Sequence, residues 1–112
     1  MKITFLGHAG LFIETQYGSI LCDPWFNPAY FASWFPFPEN AHVNISALQH
    51  PTYLYISHVH QDHFDAAFLH EHVWKETTVF LPSYPLPFLE RALRACGFTK
   101  FHRLQHAHIE HL

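Results

Sequence analysis

The chain is 112 residues long, 49% hydrophobic and 18% aromatic, with only 13% charged residues and a formal net charge of −3. That length bounds it to one domain, and six Lys and Arg form no basic stripe, which excludes nucleic acid as an expected partner. The charge is about half the ~25% of an average soluble domain, so some apolar surface is expected to be covered by more chain, a second subunit of a homo-oligomer, or a ligand.

"KITFL" (2–6), "LFIET" (11–15) and "SILCD" (19–23) are short β-type runs, separated by "GHAG" and "QYG" with turn-forming Gly7, Gly10 and Gly18. Residues 24–40 form an aromatic, proline-rich loop, and its four prolines exclude a transmembrane helix there, so no membrane partner is expected. "TYLYIS" (52–57) has the character of a central buried strand. Asp65 is placed to cap a helix beginning "AAFLHEHVW", with Phe68, Leu69, His72 and Val73 near one face. "TTVFL" (77–81) is another buried-type strand. "PLPFLERALRACG" then puts Pro87 at a first helical position, an apolar stripe on Leu89, Ala92, Leu93 and Cys96, and a C-terminal cap at Gly97. "TKFHRL" (99–104) supplies one more strand. The pattern predicts an α/β fold, a mixed sheet with helices on at least one face. The ending "LQHAHIEHL" has no closing helix, and residues 1–112 are read as one domain truncated at its C-terminus.

Cys22 and Cys96 are too few and too far apart for a disulfide framework or a four-cysteine zinc site. Both stand in apolar surroundings and are expected to be buried packing residues, which fits a reducing cytoplasm. The N-terminus lacks the long apolar region of a signal peptide.

The chemistry concentrates in "SHVHQDHFD" (57–65). Alternate residues of an extended chain point the same way, ~6–7 Å apart, so His58 and His60 can aim both imidazoles at one cation beyond the strand end. Asp62 and His63 follow where the chain begins to turn and can face a neighbouring point. Imidazole with carboxylate suits Zn2+, and also Mn2+ or Fe2+. A chance cluster is the alternative in a chain with 12 histidines. Four ligand-type residues within "HVHQDH", after an apolar strand and before a capped helix, favour the metal site.

This stretch resembles the His-x-His-x-Asp-His signature of the metallo-β-lactamase superfamily. "FLGHAGLFIE", "GSILCDPW" and "YISHVHQDHFD" follow one another as in the N-terminal half of that αββα sandwich. Within it, "GHA" and "DPW" are most similar to the branch of ascorbate-phosphate lactonases and CMP-sialic acid hydroxylase-like proteins, and "DPWFNPAYFASWF" leans to the latter. The resemblance implies that His58 and His60 bind a first metal and Asp62 and His63 a second. Asp62 would also orient the attacking water and take its proton. It implies a hydrolase acting on an ester, lactone or phosphoester of a small-molecule substrate. The alternatives are a metal-binding domain of a Rieske-type oxygenase, or a remnant without catalysis. The family's further ligands come from the other half of the sandwich, and His106, His108 and His111 are read as ordinary residues near the chain end rather than as substitutes.

Three residues around the cluster are weaker candidates. Asp23 can brace the histidine loop or simply start an Asp-Pro turn. His8, in a glycine-flanked turn, can contact substrate or face solvent. Trp25 and the aromatics after it can wall a substrate cleft or pack over the sheet edge. His70, His72 and His102 are expected to have no catalytic part.

Overall fold

A computed structural model describes residues 1–112. The three leading runs become β1 (Lys2–Gly7), β2 (Gly10–Thr15) and β3 (Gly18–Cys22), a meander paired antiparallel throughout. β4 (Tyr53–Tyr55), β5 (Thr78–Pro82) and β6 (Phe101–Leu104) then add in parallel, each beside the one before. The result is one mixed six-stranded sheet whose spatial order is the chain order.

The parallel half needs crossovers, and two helices supply them: α1 (Ala66–His72) between β4 and β5, and α2 (Phe88–Ala95) between β5 and β6. Two right-handed crossovers running in the same direction along a sheet place both helices on one face. The core agrees. Phe68 and Leu69 of α1, with Leu89 and Leu93 of α2, share one apolar cluster with Phe12, Leu21, Leu54 and Val79 of the strands.

Helix ends follow the sequence signals closely. The Asp65 carboxylate accepts the Phe68 N–H at 3.1 Å and starts α1. Its other oxygen accepts the backbone N–H groups of Phe26 and Asn27, both at 2.9 Å, which ties the aromatic loop to the helix. α2 ends in a Schellman motif: Gly97, at φ +112°, donates to Arg94 and Phe98 donates to Leu93. Pro87 stands one position earlier than expected. It precedes the first helical residue, with φ −89° and ψ 30°, because its ring fixes φ but its ψ has not yet turned helical.

The opposite sheet face is only partly covered, most openly at the β1 edge. Register aligns Ile3, Ile13, Ile20 and Tyr53 in one row, and Phe5, Leu11, Cys22, Tyr55 and Phe80 in the next. At the edge of these rows Ile3 and Phe5 remain 57% and 56% exposed. Cys22 is accordingly only half-buried, contrary to expectation, because it points to this partly covered side, while Cys96 is buried among the helices. The aromatic loop extends further than residues 24–40 and includes a short 3-10 turn, Ile45–Leu48, whose Leu48 plugs into the core. A single turn has too little periodicity to be read from sequence. No helix is long and apolar enough to cross a membrane.

Candidate metal centre

β1, β3, β4 and β5 all run in the same direction, so their C-terminal ends meet at one edge of the sheet, the usual place for a site in parallel α/β architecture. His8 follows β1, Asp23 follows β3, residues 57–63 follow β4 and Tyr84 follows β5. The chain turns sharply at the histidine stretch, where His63 and Phe64 both donate their N–H to the His60 carbonyl. That turn brings His63 back beside His58, with ring centroids 4.2 Å apart, while the centroid of the His60 ring lies 4.8 Å from that of His58.

Asp23 is the buried hub beneath these rings. It holds a left-handed backbone, φ +40°, and donates its N–H to the Tyr55 carbonyl. Its carboxylate accepts three hydrogen bonds, from Ser57 N–H at 2.8 Å, Ser57 Oγ at 2.6 Å and His63 Nδ1 at 2.9 Å. A carboxylate only accepts, so His63 carries its proton on Nδ1 and presents a bare Nε2. The Ser57 hydroxyl proton is spent on Asp23, so at the 2.8 Å contact between Ser57 Oγ and His58 Nδ1 the imidazole is the donor. His58 therefore also offers Nε2 with a free lone pair. Burial, followed by the neighbouring His63 and His60, holds the His58 pKa below 6.5, which favours the same neutral form.

Asp62, 7% exposed, lies opposite. Its Oδ2 accepts from His8 Nε2 at 2.8 Å and sits 3.6 Å from His63 Nε2, while its Oδ1 accepts the Tyr30 hydroxyl at 2.9 Å. Burial pushes its pKa up, but the hydrogen bonds, led by that from Tyr30, outweigh it and leave the carboxyl below its ordinary value. One ligand atom from each of His8, Asp62 and His63 fits within 4.8 Å. The edge of a tetrahedron with ~2.0–2.1 Å bonds is about 3.4 Å, close to the 3.6 Å between His63 Nε2 and Asp62 Oδ2, whereas His8 Nε2, by donating to Oδ2, braces the carboxylate rather than offering a lone pair. Imidazole nitrogen and carboxylate oxygen in such an arrangement fit a divalent transition metal. There is no thiolate beside them: Cys22, the neighbour of Asp23 in sequence, has its pKa pushed up to about 11 by burial and then by Asp23.

The candidates named from sequence are thus brought together: His58, His60, Asp62, His63, Asp23 and His8 form one continuous cluster. Trp25 is buried, 3% exposed, in a T-shaped contact with His8 at 5.1 Å between ring centroids, and its indole N–H is donated to the Asn27 carbonyl. It supports the His8 turn rather than lining an open cleft. Asn40, buried, fastens the far end of the aromatic loop by donating to the carbonyls of Leu6 and Trp25, both at 2.8 Å. His106, His108 and His111 lie in the exposed segment after β6. Ser57 and Tyr84, whose hydroxyl donates to the Ser57 carbonyl, are not identifiable as site residues from sequence, and Tyr30 is expected only among the loop aromatics that can wall a cleft, not as a partner of Asp62. An Asp followed much later by Ser-His at a strand end is the only signal that could have found Ser57.

The family model described as the β-lactamase superfamily domain matches residues 2–110, and the chain belongs to that family. Among its relatives are proteins provisionally named Rieske 2Fe-2S iron–sulfur proteins. One from Mycobacterium tuberculosis is 56% identical over 101 residues, covering 90% of this chain and 20% of the relative. One from Mycolicibacterium smegmatis is 55% identical with the same coverage. The chain thus spans about a fifth of the length of these relatives. A metal-dependent hydrolase from Paracoccus denitrificans is 38% identical over 65 residues, 56% of this chain and 24% of the relative. The fold is shared with an isothiocyanate hydrolase from Delia radicum gut bacteria, with a TM-score of 0.70 and 22% identity over 93% of this chain and 41% of that one. The mixed sheet with its helices on one side is the N-terminal half of that α/β sandwich.

Proposed function

We propose that the chain carries the histidine–aspartate half of a metal-dependent hydrolase centre acting on a small-molecule ester, lactone or phosphoester. The observation that carries this reading is that Nδ1 of His58 lies 2.8 Å from Ser57 Oγ and Nδ1 of His63 2.9 Å from Asp23 Oδ2, which leaves the Nε2 atom of each ring as its ligand atom, with the buried Asp62 carboxylate beside His63. His58 and His60 would hold one ion and Asp62 with His63 a second, Zn2+ being the first choice and Mn2+ or Fe2+ also compatible with these donors. Such an ion supplies Lewis acidity and makes water nucleophilic near neutral pH.

The chain's own residues do the rest. Asp23 and Ser57 fix the imidazole orientations, as outer hydrogen-bond partners of metal ligands usually do. Asp62, ionised and held on both oxygens, orients the attacking water and accepts its proton. The remaining donors would come from the rest of a longer protein, as the lengths of the relatives suggest. The test uses the full-length protein and its Asp62→Asn variant, assayed on generic ester, lactone and phosphodiester substrates with Zn2+ or Mn2+. Loss of most turnover with an unchanged fold is expected. Retained turnover would make Asp62 a structural residue and sink the reading.

A second reading rests on the names of the relatives in Mycobacterium tuberculosis and Mycolicibacterium smegmatis. In it the same metal-binding domain serves an oxygenase-type protein that also holds a 2Fe-2S cluster. A Rieske-type electron paramagnetic resonance signal from the reduced full-length protein, with no hydrolysis of any substrate, would favour it over the hydrolase.

A further inference from the structure

Tyr30 is held on three sides. Its backbone N–H donates to Gln61 Oε1 at 2.6 Å, its ring meets Trp34 edge-on at 4.9 Å, and its hydroxyl donates to Asp62 Oδ1 at 2.9 Å. The backbone here takes an unusual course. Tyr30, Phe31 and Ala32 follow one another at φ +53°, +58° and +60°, a left-handed turn built without glycine. L-residues adopt that conformation only at an energetic cost, since Cβ crowds the following carbonyl. The turn is closed by reciprocal hydrogen bonds between Ala29 and Trp34, at 2.9 and 3.0 Å. Costly backbone of this kind persists where the surroundings over-determine it, and it clusters at functional sites.

What the turn accomplishes is the placement of one phenol. Asp62 has two carboxylate oxygens and two kinds of neighbour. With Oδ1 taken by Tyr30, Oδ2 is the oxygen that faces His8 Nε2 and His63 Nε2. We propose that Tyr30 is a positioning residue of the metal centre, its phenol fixing the Asp62 carboxylate so that Oδ2 is turned to the histidines. The proposal rests on the metal-centre reading above. It adds a residue from the aromatic loop, so that this loop reaches the centre through a hydrogen bond as well as by packing. Tyr30→Phe removes a single oxygen and keeps the ring against Trp34, so a role confined to packing leaves metal affinity untouched.

The test compares full-length wild type, Tyr30→Phe, Asp62→Asn and the double variant, titrated with Mn2+ alone and read by the resonance of the free ion. The expected result is affinity about 10–100-fold weaker in Tyr30→Phe, the usual effect of losing an outer-shell partner, with no additional loss when Asp62 is already Asn. A change below about threefold, or the same factor in both backgrounds, would overturn the proposal, since coupled residues are non-additive. Should wild type take up no Mn2+, the metal-centre reading fails separately. Urea unfolding of the same four proteins then decides the Tyr30–Asp62 contact: non-additive midpoint shifts sustain it and additive ones overturn it.

Discussion

Nδ1 of His63 lies 2.9 Å from Oδ2 of Asp23, forty residues earlier in the chain. The two arrive from the ends of neighbouring parallel strands, β3 and β4, so the contact is a product of sheet register rather than of local sequence. It fixes which ring nitrogen of His63 is bare. Asp23→Ala removes the acceptor for that ring and for both donors of Ser57. The expected outcome is Zn2+ affinity lower by about 10–100-fold and a stability loss of about 1–3 kcal/mol from buried donors left unpaired. Chelator competition and thermal unfolding of the full-length protein measure the two. Unchanged affinity in a destabilised protein would reduce Asp23 to the Asp-Pro turn residue that its sequence also allows.

The His58 environment gives a pH dependence with a definite sign. Its folded pKa is lowered from 6.5, mainly by burial and then by His63 and His60. The unfolded chain therefore binds the proton more readily than the folded one. The corresponding stability is present above pH 6.5 and is lost as pH falls through the lowered folded value. Metal-free protein is expected to lose stability on mild acidification below pH 6.5, and His58→Gln to lose less of it. Urea midpoints measured from pH 8 downward check this, and equal pH slopes for the two proteins would contradict it.

How much of this was legible in the sequence follows from the range of each interaction. The strands and both helices were readable because alternation, Asp65 and Gly97 act within a few residues. The histidine cluster was readable because its ligands are packed into "HVHQDH". Asp23 and His8 could be named only as weak candidates, since their value depends on which strands lie side by side. Tyr30 could be named only among the loop aromatics, and its contact with Asp62 was hidden for a different reason. It reaches Asp62 across 32 residues of sequence from a loop whose left-handed turn contains no glycine to announce it. Cys22 was misjudged because an apolar run does not say which sheet face is covered.

That partly covered face has a consequence for the isolated chain. Ile3 and Phe5 stand exposed at the edge of this side of the meander, beside the partly buried Leu11, Ile13 and Ile20, and the chain's low charge offers little repulsion. Residues 1–112 expressed alone are expected to self-associate. Ile3→Lys with Phe5→Glu, which places opposite charges on the exposed edge, is expected to shift the population toward monomer. Size-exclusion chromatography with light scattering distinguishes the cases. A monodisperse wild-type monomer would mean that this face tolerates water as it is.

The central claim is that the cluster after β4 binds divalent metal through His58 and His60 together with Asp62 and His63. Elemental analysis of the full-length protein, counting Zn2+ and Mn2+ per chain in wild type and in His58→Ala/His60→Ala, tests it most directly. The expected result is metal retained by wild type through dialysis and at least one ion lost from the double variant, with circular dichroism unchanged. Equal, tightly held metal in both proteins would contradict the claim and move the binding site away from these histidines.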